Sequence, residues 1–264
     1  MRANRKRTAI ALAAALAAAA ALAAAAQAEI ASNGGIVITF SGGISPLKLP
    51  RSTPVPVTVL MGAKIKTTDK STPPELKTMV LDINRNGTIR SQGLPTCPLA
   101  KLGSISSAGA RRACGKALVG HGNVTTRVSL PGQGAFATNG LLQAFNGRLH
   151  GRPAIFGQVA SGAPLPLTYV IVFEVKKTGG KFGTSLIGSV PPIASHYGYI
   201  SAINLSLKRL FTDGGGHRQS FVSADCAAPA GFREANFAFA RVSFAFADGR
   251  KVGTTLVRQC KVKG

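Results

Sequence analysis

Apolar side chains along this chain recur mainly at every second position, the spacing of strands with one buried face, and seldom at the three-to-four-residue spacing of a helix. Val57, Val59, Met61, Ala63 and Ile65 alternate with Thr58, Leu60, Gly62, Lys64 and Lys66. Met79, Leu81 and Ile83 repeat the pattern, as do Tyr169, Ile171, Phe173 and Val175, and later Ile203, Leu205 and Leu207. Asn86-Gly87, Asn146-Gly147 and Asp248-Gly249 stand between apolar runs, and such dipeptides supply the positive φ of a two-residue hairpin turn. Over 235–247 the bulky residues change parity, from Phe237 and Phe239 to Val242, Phe244 and Phe246. One extra residue near Ala240-Arg241, a β-bulge, accommodates that change.

Only 106–114, an Ala/Arg-rich stretch, reads as a short helix, and proline-rich breaks at 46–56, 73–74, 164–166 and 191–192 argue against long ones. The expected fold is all-β, an antiparallel β-sandwich with one short helix near 106–114. Its strands are expected to form two packed Ig-like or jelly-roll-like subdomains, 29–163 and 164–264, or one continuous sandwich. The segment 162–166 is the candidate linker. A faint echo supports the division: 79–97 and 202–226 each run strand, polar turn, strand, cysteine, and a second cysteine follows each.

The first 28 residues break the alternation. A basic opening with Arg2, Arg5, Lys6 and Arg7, an apolar, mostly alanine run over 9–26 and Ala26-Gln27-Ala28 have the three parts of a secretory signal peptide cleaved after Ala28. So alanine-rich a run is too weakly apolar for a stable membrane span, and no transmembrane segment is expected in the mature chain. Removing those residues takes four basic side chains and no acidic one from 32 Lys+Arg and 9 Asp+Glu, leaving a formal charge of +19. The expected location is extracellular or on the cell envelope.

Cys97, Cys114, Cys226 and Cys260 all lie in the exported part, where an oxidising environment preserves disulfides. Four cysteines allow three connectivities. Pairing Cys97 with Cys114 and Cys226 with Cys260 is favoured, because chain neighbours close the smaller loops. Loops of this size stabilise by about 3 to 4 kcal/mol each in the chain-entropy account.

The C-terminal third, with Cys226-Ala-Ala-Pro229-Ala-Gly231-Phe232, the Phe/Ala alternation over 237–246, Asp248-Gly249 and Cys260, resembles a family of secreted β-rich proteins of actinobacteria. Gly43-Ile44-Ser45-Pro46 with Leu49-Pro50, and Ile83-Asn84-Arg85-Asn86-Gly87, are similar to the same family, so the likeness spans most of the mature chain. It implies a secreted β-rich protein and implies no activity, cofactor or site residue.

Several motifs imitate chemistry without completing it. Asp82-Ile83-Asn84-Arg85-Asn86-Gly87-Thr88-Ile89 fits the first eight positions of an EF-hand loop, but the twelfth, which must be a bidentate carboxylate, is Gly93. A hairpin turn at Asn86-Gly87 explains the same letters. Ser45-Pro46-Leu47-Lys48 with Lys177-Thr178-Gly179 follows the order of serine enzymes that need Ser and Lys one helical turn apart, and Pro46 and Pro50 oppose that helix. His121, His150, His196 and His217 are the available bases, with no Gly-x-Ser-x-Gly elbow beside them. Asn86, Asn123 and Asn204 head Asn-x-Ser/Thr triplets read as incidental. No catalytic residue, metal ligand or cofactor is nominated.

Charge remains as a signal. Arg111, Arg112 and Lys116; Lys176, Lys177 and Lys181; Lys208, Arg209 and Arg218; and Arg250 and Lys251 cluster mostly at expected turns, where they can hold a polyanion by counterion release. With three tyrosines and no tryptophan there is little stacking surface, so sequence-specific nucleic-acid recognition is not expected. The expectation is a secreted, non-catalytic binding or structural module of the envelope, whose basic surface meets anionic wall polymer or a membrane surface. The alternative is a secreted hydrolase with a site that the sequence does not reveal.

Overall fold

The computed structural model describes residues 28–263, so the expected signal peptide lies outside the described residues except for Ala28. The strands run in chain order as β1 (Ala28–Asn33), β2 (Ile36–Ser45), β3 (Lys48–Leu49), β4 (Val55–Pro56), β5 (Thr58–Thr67), β6 (Leu76–Asn84), β7 (Gly87–Ile89), β8 (Leu118–Val128) and β9 (Phe136–Leu149). They continue as β10 (Arg152–Ser161), β11 (Leu167–Lys177), β12 (Phe182–Ser189), β13 (Gly198–Leu207), β14 (Leu210–Thr212), β15 (Arg218–Ser220), β16 (Val222–Ala224), β17 (Glu234–Phe246) and β18 (Lys251–Val262). The one α-helix among the described residues, α1 (Ser107–Cys114), falls where the sequence predicts it, and the Ser106 hydroxyl accepts from the Gly109 N–H at 3.2 Å as its N-cap.

The described residues are nearly all β, and their main feature is one large curled sheet of 13 strands in the order β1-β2-β5-β13-β8-β9-β10-β11-β12-β6-β17-β18-β3. A sandwich of two subdomains is not confirmed. Strands from before and after 162–166 alternate in this sheet, as in β5-β13-β8 and β12-β6-β17. Rather than linking units, 162–166 is the loop of the hairpin formed by paired β10 and β11. The local echo misleads because strand-turn-strand units are short-range, whereas this sheet is assembled from long-range neighbours.

The inner face carries the core. Ile36, Ile38 and Phe40 of β2, Ala63 and Ile65 of β5, Leu207 of β13 and Val242, Phe244 and Phe246 of β17 are buried, and the Phe40 and Phe244 rings meet edge to face with centroids 5.1 Å apart. Alternating Lys64, Lys66, Asn123 and Asn204 point outward. β9 and β10 depart from this rule because both of their faces are covered. Leu142, Ala144, Ile155 and Val159 belong to the inner core, while Phe145, Ala154 and Phe156 pack under α1 with Leu102, Ala110 and the Cys97–Cys114 disulfide.

The curl brings the two ends of the sheet together without a continuous ladder. Arg258 of β18 donates to both carboxylate oxygens of Glu29 on β1, Nη2 to Oε2 at 3.0 Å, and its Nε reaches the Gly42 carbonyl of β2. The Val257 N–H donates to Glu29 Oε1 at 3.2 Å, and Asn33 Nδ2 donates to the Lys251 carbonyl at 3.0 Å. Side chains thus occupy groups that an open edge would otherwise present to another chain.

Three predicted turns come out differently from one another. Asp248-Gly249 closes the β17–β18 hairpin with Gly249 at φ +86°. At Asn86-Gly87 the chain turns but makes no hairpin: the Asn86 N–H donates to Asn84 Oδ1 at 3.0 Å, and β7 leaves to pair with β16. Asn146-Gly147 lies inside β9, and the turn follows at His150-Gly151, with φ +48° and +77°. Asn146 is buried there and donates to the Leu94 and Pro95 carbonyls, so side-chain bonding overrides its turn preference. Gly147 is needed for close approach, since a Cβ would stand 2.3 Å from the Phe156 ring. The register of β17 shifts between Ala238 and Ala240, which places the bulge next to its expected position.

Candidate functional site

The inner face does not close completely on itself. A cavity of about 130 Å³ lies among β2, β5, β13, β6, β12 and β17, lined by apolar side chains that include Phe40, Met61, Met79, Leu186, Leu205 and Phe239. The alternation that makes these strands aims the large residues at one another, and the curl holds them too far apart to fill the space. A small three-stranded sheet, β4-β16-β7, stands at one end of it. Asn84, Asn86, Thr88, Ser223 and Asp225 border that end, although nearly all of the surface facing the cavity is apolar.

Local bonding fixes the residues at that end. Asn84 is buried and engaged at both amide atoms, donating Nδ2 to the Ala238 carbonyl at 2.7 Å while its Oδ1 takes the Asn86 N–H. The Asp225 N–H donates to the Asn86 carbonyl at 3.2 Å, and the next residue, Cys226, is joined to Cys260 of β18. The second disulfide therefore ties the small sheet to the large one, and both bridges follow the expected pairing. Asp225 is the one charged residue of the lining, and its carboxylate has no hydrogen-bond or ion-pair partner among the described residues. Burial alone pushes it above the ordinary aspartate range.

Antiparallel register shows where the basic residues lie. Following the pairings β8-β9-β10-β11-β12-β6 puts Lys116, the β11–β12 turn with Lys176, Lys177 and Lys181, and the Asn84-Asn86 turn at one end of the strands. β13 runs against β8, so Lys208 and Arg209 follow it at that same end. This is the end of the cavity where the small sheet stands. Arg250 and Lys251 sit at the opposite end, after Phe246, which pairs with Leu76. Arg111, Arg112 and Lys116 line one surface hollow together with Pro95 and Thr96.

Not every nominated cation is available. Arg250 is held by Asp248, Nη2 to Oδ2 at 2.6 Å, and reaches the Gly34 carbonyl. Lys176 is 3.8 Å from Glu174, and Lys177 donates to Thr184 Oγ1 at 3.4 Å. Arg218 lies on the β14–β15 hairpin.

The tempting motifs are committed elsewhere. Asp82 of the EF-hand-like stretch is on β6 and pairs with Arg241 at 2.7 Å, whose guanidinium lies over the Phe182 ring 5.0 Å from its centroid. His196 meets Glu75 at 3.1 Å and His217 meets Asp213 at 3.5 Å, both on exposed turns. Burial raises the Glu75 carboxyl, but hydrogen bonds from Lys77 and His196 outweigh that and hold it below its usual range. No histidine is among the residues lining the cavity.

Sequence reasoning missed Asp225, and the available signal was its position: a lone carboxylate beside a half-cystine, between the apolar Val222 and Ala224 and the apolar Ala227-Ala228. No helix among the described residues is long and apolar enough to cross a membrane. No family model, no curated protein and no solved structure matches this chain.

Proposed function

We propose that this chain is a non-catalytic binding protein of the cell envelope that takes a small apolar molecule into the interior of its curled sheet. The single observation carrying this reading is the apolar cavity on the inner face of the sheet. A space of about 130 Å³ so lined leaves apolar side chains without packing partners, and a ligand that covers them gains about 25 cal/mol per Å² of apolar surface removed from water. Apolar walls keep such a space dry and receptive, and a comparable engineered cavity of about 150 Å³ takes benzene. A ring or a short alkyl segment therefore fits. With no histidine in the lining, binding is better supported than the alternative of a secreted hydrolase.

Phenethyl alcohol, a neutral ring-bearing probe, tests the reading. At about one hundred times its Kd it should raise Tm by roughly 5 °C or more, the size expected for mass-action stabilisation of about 2.7 kcal/mol. Leu205→Trp, which fills the space, should abolish that rise. An unchanged Tm for the native protein at any probe concentration would sink the proposal.

A second reading concerns attachment, and the shared end of Lys116, Lys176, Lys177, Lys181, Lys208 and Arg209 supports it. Those side chains hold anionic envelope polymer by releasing its counterions. Retention on immobilised polyphosphate should then fall linearly in log salt. Replacing Lys176, Lys177 and Lys181 by Gln should flatten the slope, and replacing Lys251 by Gln should not. Retention that persists undiminished at high salt overturns it.

A further inference from the structure

We infer that the loop carrying Phe232 is a membrane anchor, which seats that ring in the interfacial layer of an anionic bilayer while neighbouring cations meet the headgroups. The inference goes beyond both readings above: it needs no cavity, and its partner is a bilayer rather than a polymer. Among the described residues, which hold all thirteen phenylalanines, Phe232 is the exposed one, at 64 %, and the others are buried or half-buried. Its loop is held in place. The Arg51 guanidinium donates to the Ala228, Pro229 and Phe232 carbonyls, at 2.8 Å to Pro229 and 2.9 Å to Phe232. The Phe232 N–H closes a turn onto the Pro229 carbonyl at 3.1 Å, and the Cys226 N–H donates to the Pro50 carbonyl at 2.9 Å. Cys226 is in turn bridged to Cys260. A ring held in solvent on an ordered loop loses little conformational freedom when a partner covers it.

Register places this loop among cations. Glu234 pairs with Lys261, and Ala240 of the same strand pairs with Ile83, so β17 begins at the end of the sheet where β6 finishes. Ser45 pairs with Thr58 and Val59 with Leu207, so Leu47 and Lys48 lie at that end too, as do Lys208, Arg209 and Leu210. Leu47 and Leu210 are exposed there as well. The Lys261 N–H donates to the Leu47 carbonyl and the Val262 N–H to the Arg233 carbonyl, which brings Leu47 and Lys48 beside the loop. Lys48, Arg233 and Lys263 are exposed and have no acidic partner among the described residues. Glu234, the carboxylate nearest Phe232 in sequence, is taken by Lys261 at 3.0 Å. A second copy of this surface is repelled by its like charge, and a hydrated polyanion satisfies the cations but leaves the ring in water. An anionic bilayer satisfies both, since aromatic rings settle at headgroup level and each nearby Lys or Arg adds to the attraction.

The chain has no tryptophan, so Phe232→Trp places a lone fluorophore at the proposed contact. With vesicles of phosphatidylglycerol and phosphatidylcholine at neutral pH, its emission should shift to the blue and be quenched by brominated acyl chains. Tyr197, exposed and just before β13 begins, lies at the opposite end of the sheet, and Tyr197→Trp should show neither change. Partitioning onto these vesicles should fall at least about tenfold in Phe232→Ser, and about fivefold for each of Lys48, Arg233 and Lys263 replaced by Gln. Phe232→Ser should leave retention on polyphosphate unchanged. If it partitions onto vesicles as strongly as the native protein, cations alone hold the surface, the anchor is overturned and polymer attachment stands. Equal partitioning onto vesicles of phosphatidylcholine alone overturns the anionic bilayer as partner. A blue shift that grows with protein concentration in the absence of vesicles overturns the anchor in favour of self-association. No partitioning onto the anionic vesicles overturns it outright, whatever the polyphosphate column shows.

Discussion

Tyr169 and Gly147 show how single side chains carry the cost of this interior. Tyr169 is buried against Thr126, hydroxyl to hydroxyl at 2.9 Å, and burial pushes its phenol from 10.0 up to about 12. Between those values the unfolded chain loses the proton and the folded chain keeps it. Stability is therefore fully present below pH 10 and declines through that window, by roughly 3 kcal/mol at most at about 1.4 kcal/mol per pH unit. Urea titrations from pH 9 to 12 should show that decline shrink in Tyr169→Phe. Gly147→Ala drives a methyl toward the Phe156 ring and should cost about 1 to 3 kcal/mol by overpacking, read as a lowered urea midpoint. Asp225 works in the same sense at acidic pH. Its raised pKa means that the ionised group opposes folding at neutral pH, so Asp225→Asn should raise Tm in the absence of ligand.

The elements divide into those visible in local pattern and those decided by distant neighbours. Period-two runs such as 57–65 and 203–207 identify β5 and β13 because alternation follows directly from the pleat. The helix at 107–114, the bulge in β17 and both disulfides were also legible. Asn146-Gly147 was not, since a buried amide bonded to Leu94 and Pro95 carries the strand through a turn dipeptide. Nor was the departure of β7 at Asn86-Gly87, which depends on β16, over 130 residues later, to receive it. The candidate site is hidden for the same reason: Met79, Leu205 and Phe239 each announce a strand, and none announces a space between strands. The Cys226–Cys260 bridge links the small sheet to β18, so replacing both residues by Ala should cost about 4 kcal/mol by loop entropy and weaken probe binding as the cavity end loosens. The same change at Cys97 and Cys114 should cost about 3 kcal/mol and spare binding, because that bridge lies on the outer face.

Across the whole molecule, stability depends on closing the curled sheet. The Arg258 side chain is 10 % exposed and Glu29 25 %, so the pair is largely removed from water, and Arg258→Met leaves the Glu29 carboxylate without its cation. A loss of about 3 kcal/mol is expected from breaking such a pair on one side, with faster hydrogen exchange in β1 and β2 but not in β9 and β10.

That contact also joins residues 229 positions apart, which bears on kinetics. Most of the chain must be in place before the first strand finds its last neighbour, and loop closure over such a span is entropically slow. Refolding should accordingly be slow for a domain of this size, with the hairpins of the middle region protected early and the first two strands late. Until that final docking, their hydrogen-bonding edges stand open to any other chain, so crowded refolding should lose material to aggregation in proportion to the lifetime of this one unfinished joint.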